Sequence, residues 1–393
     1  MLRWTTAGES HGRAVIAIIE GLPAGLRVEP SDIDRDLARR QAGYGRGGRM
    51  KIERDRAQVL SGLRGGVTLG SPVAVLIENR DWENWKERMD PWDPAALGSP
   101  ETAPRPGHAD LAGSLKFGHS DMRSVLERAS ARETAARVAV GALARRFLRE
   151  MGIEVGSQVT AIGNAGAASP GPAGDESIAS WQGRVDQSPV RCACPEASRE
   201  MVRAIDRARE EGYSLGGQLE VRTSTLPPGL GSYTGAGDRL DARLAGGMIS
   251  IPGIKGVEIG DAFRISRLPG SEAHDDIVPG EGGLPLRPTN RAGGLEGGVT
   301  NGQPLIVRLA MKPIATQAQP LGTVDMSTGR SARAFKERAD TCAVPAAGVV
   351  AEAVACLVLA QAAREKFGGD SADDARSALS AYMRRVGDLP WTT

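Results

Sequence analysis

A fourteen-residue stretch near the start of the chain recurs near its end. Gly62-Leu-Arg-Gly-Gly-Val-Thr-Leu-Gly-Ser-Pro-Val-Ala-Val75 aligns without gaps on Gly294-Leu-Glu-Gly-Gly-Val-Thr-Asn-Gly-Gln-Pro-Leu-Ile-Val307, with nine of the fourteen positions identical. Glycine makes up 51 of 393 residues, well above the usual share of about 7%. The informative matches are therefore Val-Thr, the proline and the last valine. A weaker echo sets Arg128-Ala-Ser and its Ala/Val segment beside Arg338-Ala-Asp and the Ala/Val segment from Val344. Each copy reads as a glycine-turned hairpin and an Arg-led helix, which predicts two similar half-structures with a site between them. The expected fold is one large α+β domain over residues 1–393 with internal pseudo-two-fold symmetry, and no linker-like stretch divides it.

The net charge is +1, from 49 basic and 48 acidic residues, so no global field recruits nucleic acid or an anionic membrane. Any anion chemistry must be local. Cys192, Cys194, Cys342 and Cys356 offer one Cys-x-Cys and no matching pair, a poor zinc pattern, and no metal is expected. They read as reduced thiols of a cytoplasmic protein. Val15 to Ile19 is too short for a signal-peptide core. Ala346 to Ala363, interrupted by Glu352, falls short of a membrane span.

Taken in order, residues 3–19 read as two strands around Gly8-Glu-Ser-His-Gly12, which puts His11 in a tight turn. Asp32 to Arg40 reads as a helix leading into Gln41-Ala-Gly-Tyr-Gly-Arg-Gly-Gly-Arg-Met50. Arg39, Arg40, Arg46, Arg49 and Lys51 crowd that segment of four glycines. Either it is a solvated charge run, or its glycines let a polyanion approach several fixed cations. Residues 79–104 lack periodicity and read as a long surface loop. Arg105-Pro-Gly-His-Ala-Asp110 presents His108 on a Pro-Gly turn.

One helix is expected from Arg128 to Met151, its start a seat for an anion and Val140, Leu143, Phe147 and Met151 its apolar stripe. Gly163 to Pro189 reads as a surface excursion, 256–263 as a strand, and Met311-Lys-Pro-Ile-Ala-Thr316 as a strand end offering Lys312 and Thr316 to a phosphate. Asp340 precedes a buried helix and is either its cap or a working carboxylate.

P-loop and zincin patterns are absent, and no Gly-x-Gly-x-x-Gly stands with an acidic partner in a βαβ unit. What remains is two histidines in glycine turns, at least six loop cations and one loop aspartate, suited to an enzyme that moves protons and phosphate on a small polyanion. RNA binding is the rival reading, but aromatics are only 4% of the chain and give few stacking platforms. A flavoprotein reductase is another.

Six motifs in order resemble the chorismate synthase family: Gly8–Gly12, Gly43–Met50, Arg105–Asp110, Arg128-Ala-Ser-Ala-Arg-Glu-Thr-Ala, Gly256-Val-Glu-Ile-Gly260 and Arg338-Ala-Asp-Thr-Cys-Ala-Val-Pro345. The resemblance implies conversion of 5-enolpyruvylshikimate 3-phosphate to chorismate and phosphate with reduced FMN, by a lyase built as a β-α-β sandwich and assembled as a homotetramer. It assigns His11, His108 and Asp340 to catalysis. It places the substrate on Arg40, Arg46, Arg49, His108, Arg132 and Arg338. FMN falls on Arg128, Ala129, Ser130, Pro252, Gly253, Gly297, Lys312, Pro313, Ile314, Ala315, Thr316 and Arg338. NADPH, as a flavin reductant, falls on Arg40 and Arg46. This chain has Pro252-Gly253 where Asn-Ala or Gln-Ala is usual in the family, which would keep backbone contacts and lose side-chain ones.

Overall fold

The computed structural model describes residues 1–47, 54–166, 171–280, 285–337 and 340–388. The first sheet contains β1 (Arg3–Ala7), β2 (Ala14–Glu20), β3 (Gln58–Val59) and β6 (Val73–Glu78), in the order β1-β2-β6-β3 with antiparallel neighbours. Between its strands lie α1 (Pro30–Gln41) and the hairpin of β4 (Leu63–Arg64) with β5 (Val67–Thr68). Alternation decides which face is core: Val15, Ala17 and Ile19 of β2 and Val73, Val75 and Ile77 of β6 are all buried. Burying a side chain of Val or Ile size stabilises by roughly 1.5–3 kcal/mol. A slip of one residue in either strand would turn its three away, so the register is firmly set.

Three helices follow: α2 (Asp110–Phe117), α3 (Arg123–Ala129) and α4 (Thr134–Glu150). The single helix expected from Arg128 is in fact two. Ser130 has extended backbone (φ −66°, ψ 144°), its hydroxyl accepts from the Arg132 N–H, and one tight turn over Ala131–Glu133 precedes α4. Side-chain capping by serine competes with helix continuation, and here it wins.

The second half holds β7 (Val155–Ile162), β8 (Ala165–Gly166), α5 (Ile178–Asp186), α6 (Pro195–Glu211), β9 (Gly217–Thr225), α7 (Leu240–Ile249) and β10 (Ile254–Ile259). Then come α8 (Ala262–Ile265), α9 (Gly270–Ala273), the hairpin of β11 (Leu295–Glu296) with β12 (Val299–Thr300), and β13 (Pro304–Met311). The chain closes with β14 (Gly322–Asp325), β15 (Arg330–Arg333), α10 (Val344–Phe367) and α11 (Ala372–Gly387). The second sheet runs β10-β13-β9-β7-β8.

Two expectations are corrected here. The stretch Gly163 to Pro189 is not merely a surface excursion: Ile178, Trp181 and Val185 share one buried face of α5, which packs on β7. That helical spacing was hidden among glycine, proline and serine. The strand expected over 256–263 stops at Ile259, because Gly260 (φ +62°) turns the chain into α8.

Helix α4 packs on β1, β2 and β6, α10 packs on β7 and β9, and the two helices pack on each other. Contact is closest at Gly141, where an added Cβ would lie 2.4 Å from Ala353 Cβ and 2.9 Å from its carbonyl oxygen. Gly141→Val is therefore expected to lower stability by about 1–3 kcal/mol through overpacking, read as a lower denaturant midpoint; an unchanged midpoint would contradict this packing. Helix α10 is longer than the segment read from sequence. Its 24 residues are apolar and long enough to cross a membrane, but 94% of the apolar window is buried within the protein, as expected of a core helix that is hydrophobic all round.

The echoed sequences form matching structures. Leu63 pairs with Thr68 as Leu295 pairs with Thr300. The Thr68 hydroxyl donates to Pro23 O (2.6 Å) and accepts from Leu26 N–H (2.9 Å), while Thr300 does the same with Pro227 O (2.7 Å) and Leu230 N–H (2.8 Å). A third echo, Leu22-Pro-Ala-Gly-Leu26 beside Leu226-Pro-Pro-Gly-Leu230, becomes visible only through these bonds.

A charged cluster sits inside the core. Glu352, in mid-α10 and fully buried, accepts from Arg39 Nη1 and Nη2 (2.8 and 2.9 Å), Arg145 Nη2 (2.6 Å), Arg191 Nη2 (2.7 Å) and the Ser157 hydroxyl (2.6 Å). Burial alone would raise its carboxyl, but the three guanidiniums outweigh burial and hold it far below the usual carboxylate range. One helical turn on, burial pushes the Cys356 thiol up to about 11.

Candidate active site

The break at Ser130, the turn holding His11, the Pro-Gly turn holding His108 and the end of β13 converge on one cavity of about 670 Å³. Its wall includes His11, His108, Asp340, Arg40, Arg46, Arg132, Ala129, Ser130, Pro252, Gly253 and Lys312 to Thr316, which the sequence had nominated from seven separate segments. Arg49 and Arg338 lie outside the described residues, as do Lys51 and the end of the glycine loop. Gly297 is not on this wall: it turns the β11–β12 hairpin at φ +58°. Arg128 is also absent from the wall, and its guanidinium instead donates to Gly8 O (3.2 Å), Thr6 O (2.9 Å) and the Thr6 hydroxyl (2.8 Å).

The cations are held by fixed partners. Arg132 donates to Asn79 Oδ1 (2.6 Å), Asp55 Oδ1 (2.5 Å) and Glu78 O (3.1 Å). Arg40 donates to the Thr134 hydroxyl (2.9 Å), Asp55 Oδ2 (3.3 Å) and Ala131 O (3.0 Å). Two guanidiniums thus share one buried carboxylate. Burial, together with repulsion from Arg132 and Arg46, brings Arg40 down to about 10 against the pull of Asp55. An anion entering here meets positive charge that Asp55 only half offsets.

Arg46 Nη1 and the Gly47 N–H each donate to Asp340, both at 2.6 Å. Asp340 therefore binds the glycine loop as well as preceding α10. Two glycines of that loop, Gly43 and Gly45, are required by packing within the protein. A Cβ on Gly43 (φ +116°) would meet Pro345 at 2.9 Å, and one on Gly45 (φ +92°) would meet Cys342 at 3.1 Å. They let the loop press against the start of α10. Arg39, grouped by sequence with the anion loop, belongs to the Glu352 cluster instead.

Both histidines rest on carboxylates. His108 Nδ1 lies 2.6 Å from Asp110 Oδ1, and Asp110 is clasped by Arg105 through Nε (2.8 Å) and Nη2 (3.0 Å). Burial would raise the Asp110 carboxyl, but His108 and Arg105 hold it well below the usual range. Arg105 Nη2 also lies 2.9 Å from Nδ1, but the ionised, acceptor-only Asp110 is closer, takes the Nδ1 proton and leaves Nε2 as the nitrogen that exchanges a proton. Arg105 also donates to the Thr316 hydroxyl (2.9 Å) and stacks over Phe335. His11, buried, lies 2.9 Å from Glu127 Oε1 and stacks on Trp85 with ring centroids 4.1 Å apart. The Lys312 ammonium donates to Gly107 O, joining the end of β13 to the His108 turn.

Sequence reasoning missed Trp85, Glu127, Arg123, Asp55 and Asn79. Residues 79–104, read as a surface loop, contain two short tight turns and send Trp85 into the cavity wall. Asp110, two residues from His108, was the only carboxylate partner with a local signal.

This fold and cavity define an α+β enzyme whose site sets several buried arginines beside two carboxylate-backed histidines. A family model described as chorismate synthase matches residues 2–363. Chorismate synthase of Rubrobacter xylanophilus is 56% identical over 98% of this chain and 97% of that protein; that of Mycobacterium avium is 54% identical over 99% and 98%. A solved structure described as a crystal structure of chorismate synthase superposes with a TM-score of 0.80 at 41% identity, covering 99% of both chains. The chain belongs to the chorismate synthase family, lyases that carry out the last step of the shikimate pathway.

Proposed function

We propose that the cavity converts 5-enolpyruvylshikimate 3-phosphate to chorismate and phosphate by 1,4-anti-elimination, with reduced FMN bound beside the substrate. The observation that carries this reading is the meeting of His11, His108, Asp340 and three arginines on one wall. Arg40, Arg46 and Arg132 fix the substrate's carboxylates and phosphate, and Arg49 and Arg338 are assigned to the same task. His108 gives the Nε2 proton to the departing phosphate oxygen. His11 would help hold the flavin, and Asp340, an acceptor for Arg46 and Gly47, would relay a proton on the same side of the cavity.

The residues present suit a flavin. Ala343 just before α10 and Ala346, Ala347 and Val350 on it, with Ile251 and Leu126, give small apolar surface for a flat ring system. Lys312, Ser130 and the Pro313–Thr316 backbone offer a cation and hydrogen-bonding groups. Gly253 stands at φ +87°, where a Cβ would meet Met311 Cε at 2.9 Å. Its carbonyl already accepts from Lys312 N–H (2.9 Å), so Gly253 N–H and Pro252 C=O are the backbone groups left to a cofactor. When bound, reduced FMN would supply electron density to the allylic system as phosphate leaves and take it back as the ring proton departs, with no net oxidation.

The family also implies a cytoplasmic homotetramer, for which Leu115 and Phe117 of α2, 70% and 68% exposed, supply apolar surface. The matched hairpins and the sheet–helix–helix–sheet packing support one domain with a β-α-β sandwich and an internal pseudo-two-fold axis. The test is anaerobic phosphate release from the shikimate ester with dithionite-reduced FMN. Chorismate and phosphate in equal amounts are expected, with none from oxidised FMN. Oxidised FMN plus NADPH tests self-reduction through Arg40 and Arg46. NADPH consumed without phosphate release would instead make the protein a flavin reductase.

A further inference from the structure

Glu127 bonds to His11 twice. One oxygen, Oε2, accepts the His11 backbone N–H at 2.7 Å; the other, Oε1, lies 2.9 Å from Nδ1. Ser10 N–H donates to the Glu127 carbonyl (2.9 Å), so the whole turn is docked on the end of α3. The carboxylate is 3% exposed, and Arg123, on the preceding turn of α3, approaches it at 3.4 Å. Burial would raise this carboxyl, but bonding to His11 and the Arg123 charge hold it below its ordinary value.

We infer that Glu127 is the positioning residue of His11: it fixes the ring in the Nδ1–H tautomer, with Nε2 as the acceptor that exchanges protons within the cavity. The catalytic use of that nitrogen rests on the function proposed above; the tautomer does not. The argument is one of donors and acceptors. The backbone N–H must donate, so Oε2 is committed, and an ionised carboxylate has only acceptors to offer Nδ1. The tautomer follows, since the hydrogen bond at one ring nitrogen decides which carries the proton.

The surroundings leave this arrangement intact. From α3 come Glu127 and Arg123. The segment after β6 supplies the uncharged ring of Trp85, over which Arg123 also lies. Arg123 is itself met by Glu337 (2.6 Å) and Glu101 (3.3 Å), and Glu9, in the histidine's own turn, is exposed. Lys336, Arg46 and Asp340 line the same cavity. His108 on Asp110 clasped by Arg105 is the same three-part device, built at a second place.

Glu127→Gln separates positioning from bulk. A glutamine has one acceptor oxygen; if that keeps the backbone N–H, its NH2 faces Nδ1 and drives the ring to the Nε2–H tautomer. With 15N-labelled histidine, wild type is expected to show His11 protonated at Nδ1 in its neutral form, and Glu127→Gln to show Nε2 protonated. Phosphate release should fall about a hundred-fold or more, as when a catalytic imidazole is held in the wrong tautomer, with KM little changed. Glu127→Asp, which keeps two acceptors, should retain the Nδ1–H signal. A wild-type His11 protonated at Nε2 would overturn the inference even if the glutamine variant failed to fold, as would a folded variant with unchanged tautomer and rate. If wild type released no phosphate, the functional proposal would fall while the nitrogen spectra still decided this one.

Discussion

His108→Ala is expected to lower phosphate release by about a hundred-fold or more, the contribution of a positioned general acid, while the protein stays folded. The fold is spared because Asp110 keeps both bonds from the Arg105 side chain and a third from its backbone N–H (3.1 Å), so no buried carboxylate is left unpaired. His11→Ala should produce a loss of the same order. Rates within a few-fold of wild type for either variant would remove the histidines from the mechanism. The sign of the Asp110 shift adds a control. Its folded-state value is depressed, so its stabilising contribution is complete above the ordinary aspartate range and is lost only as pH falls through the lower folded value. A change in rate near neutral pH therefore does not come from Asp110 letting go of His108.

Glu352→Ala is expected to destabilise the protein by about 3–5 kcal/mol, the usual cost of breaking a buried ion pair by removing one partner. Arg39, Arg145 and Arg191 would lose the carboxylate they share, and among the described residues the carboxylates left to meet them are Asp36, 2.9 Å from Arg145, and Asp186, 2.8 Å from Arg39. The measurement is chemical denaturation at pH 7. A loss under about 1 kcal/mol would place the cluster with exposed ion pairs, which contribute little. Since the Glu352 carboxyl is also depressed, the wild type keeps this stabilisation from neutral pH down through the ordinary carboxylate range, and loses it only in stronger acid.

Turn chemistry made much of the site legible. His11 and His108 were found because glycine and proline fix their turns within a few residues, and Lys312 to Thr316 because Pro313 ends a strand. The partners that make those groups useful were not legible. Glu127 is 116 residues from His11, and Asp55 is 77 from Arg132, so each pairing exists only through helix and sheet packing. Trp85 lies in a stretch without periodicity, where an aromatic gives no hint of which way it faces. The break at Ser130 was misread for a local reason: helix propensity favoured continuation through Ala131 to Glu133, and a single hydroxyl reversed it. The packing role of Gly43 and Gly45 was not legible, because a sequence does not reveal that Pro345 and Cys342 lie against them.

Arg39 and Arg40 are neighbours on α1, yet one is locked to Glu352 and the other faces the cavity beside Asp55. Successive helical residues point about 100° apart, so a single rigid rod serves two environments at once. Any substitution that lets this rod roll moves both guanidiniums together. Thermal robustness and turnover are thereby tied to one mechanical part, and selection for either trait along α1 also constrains the other.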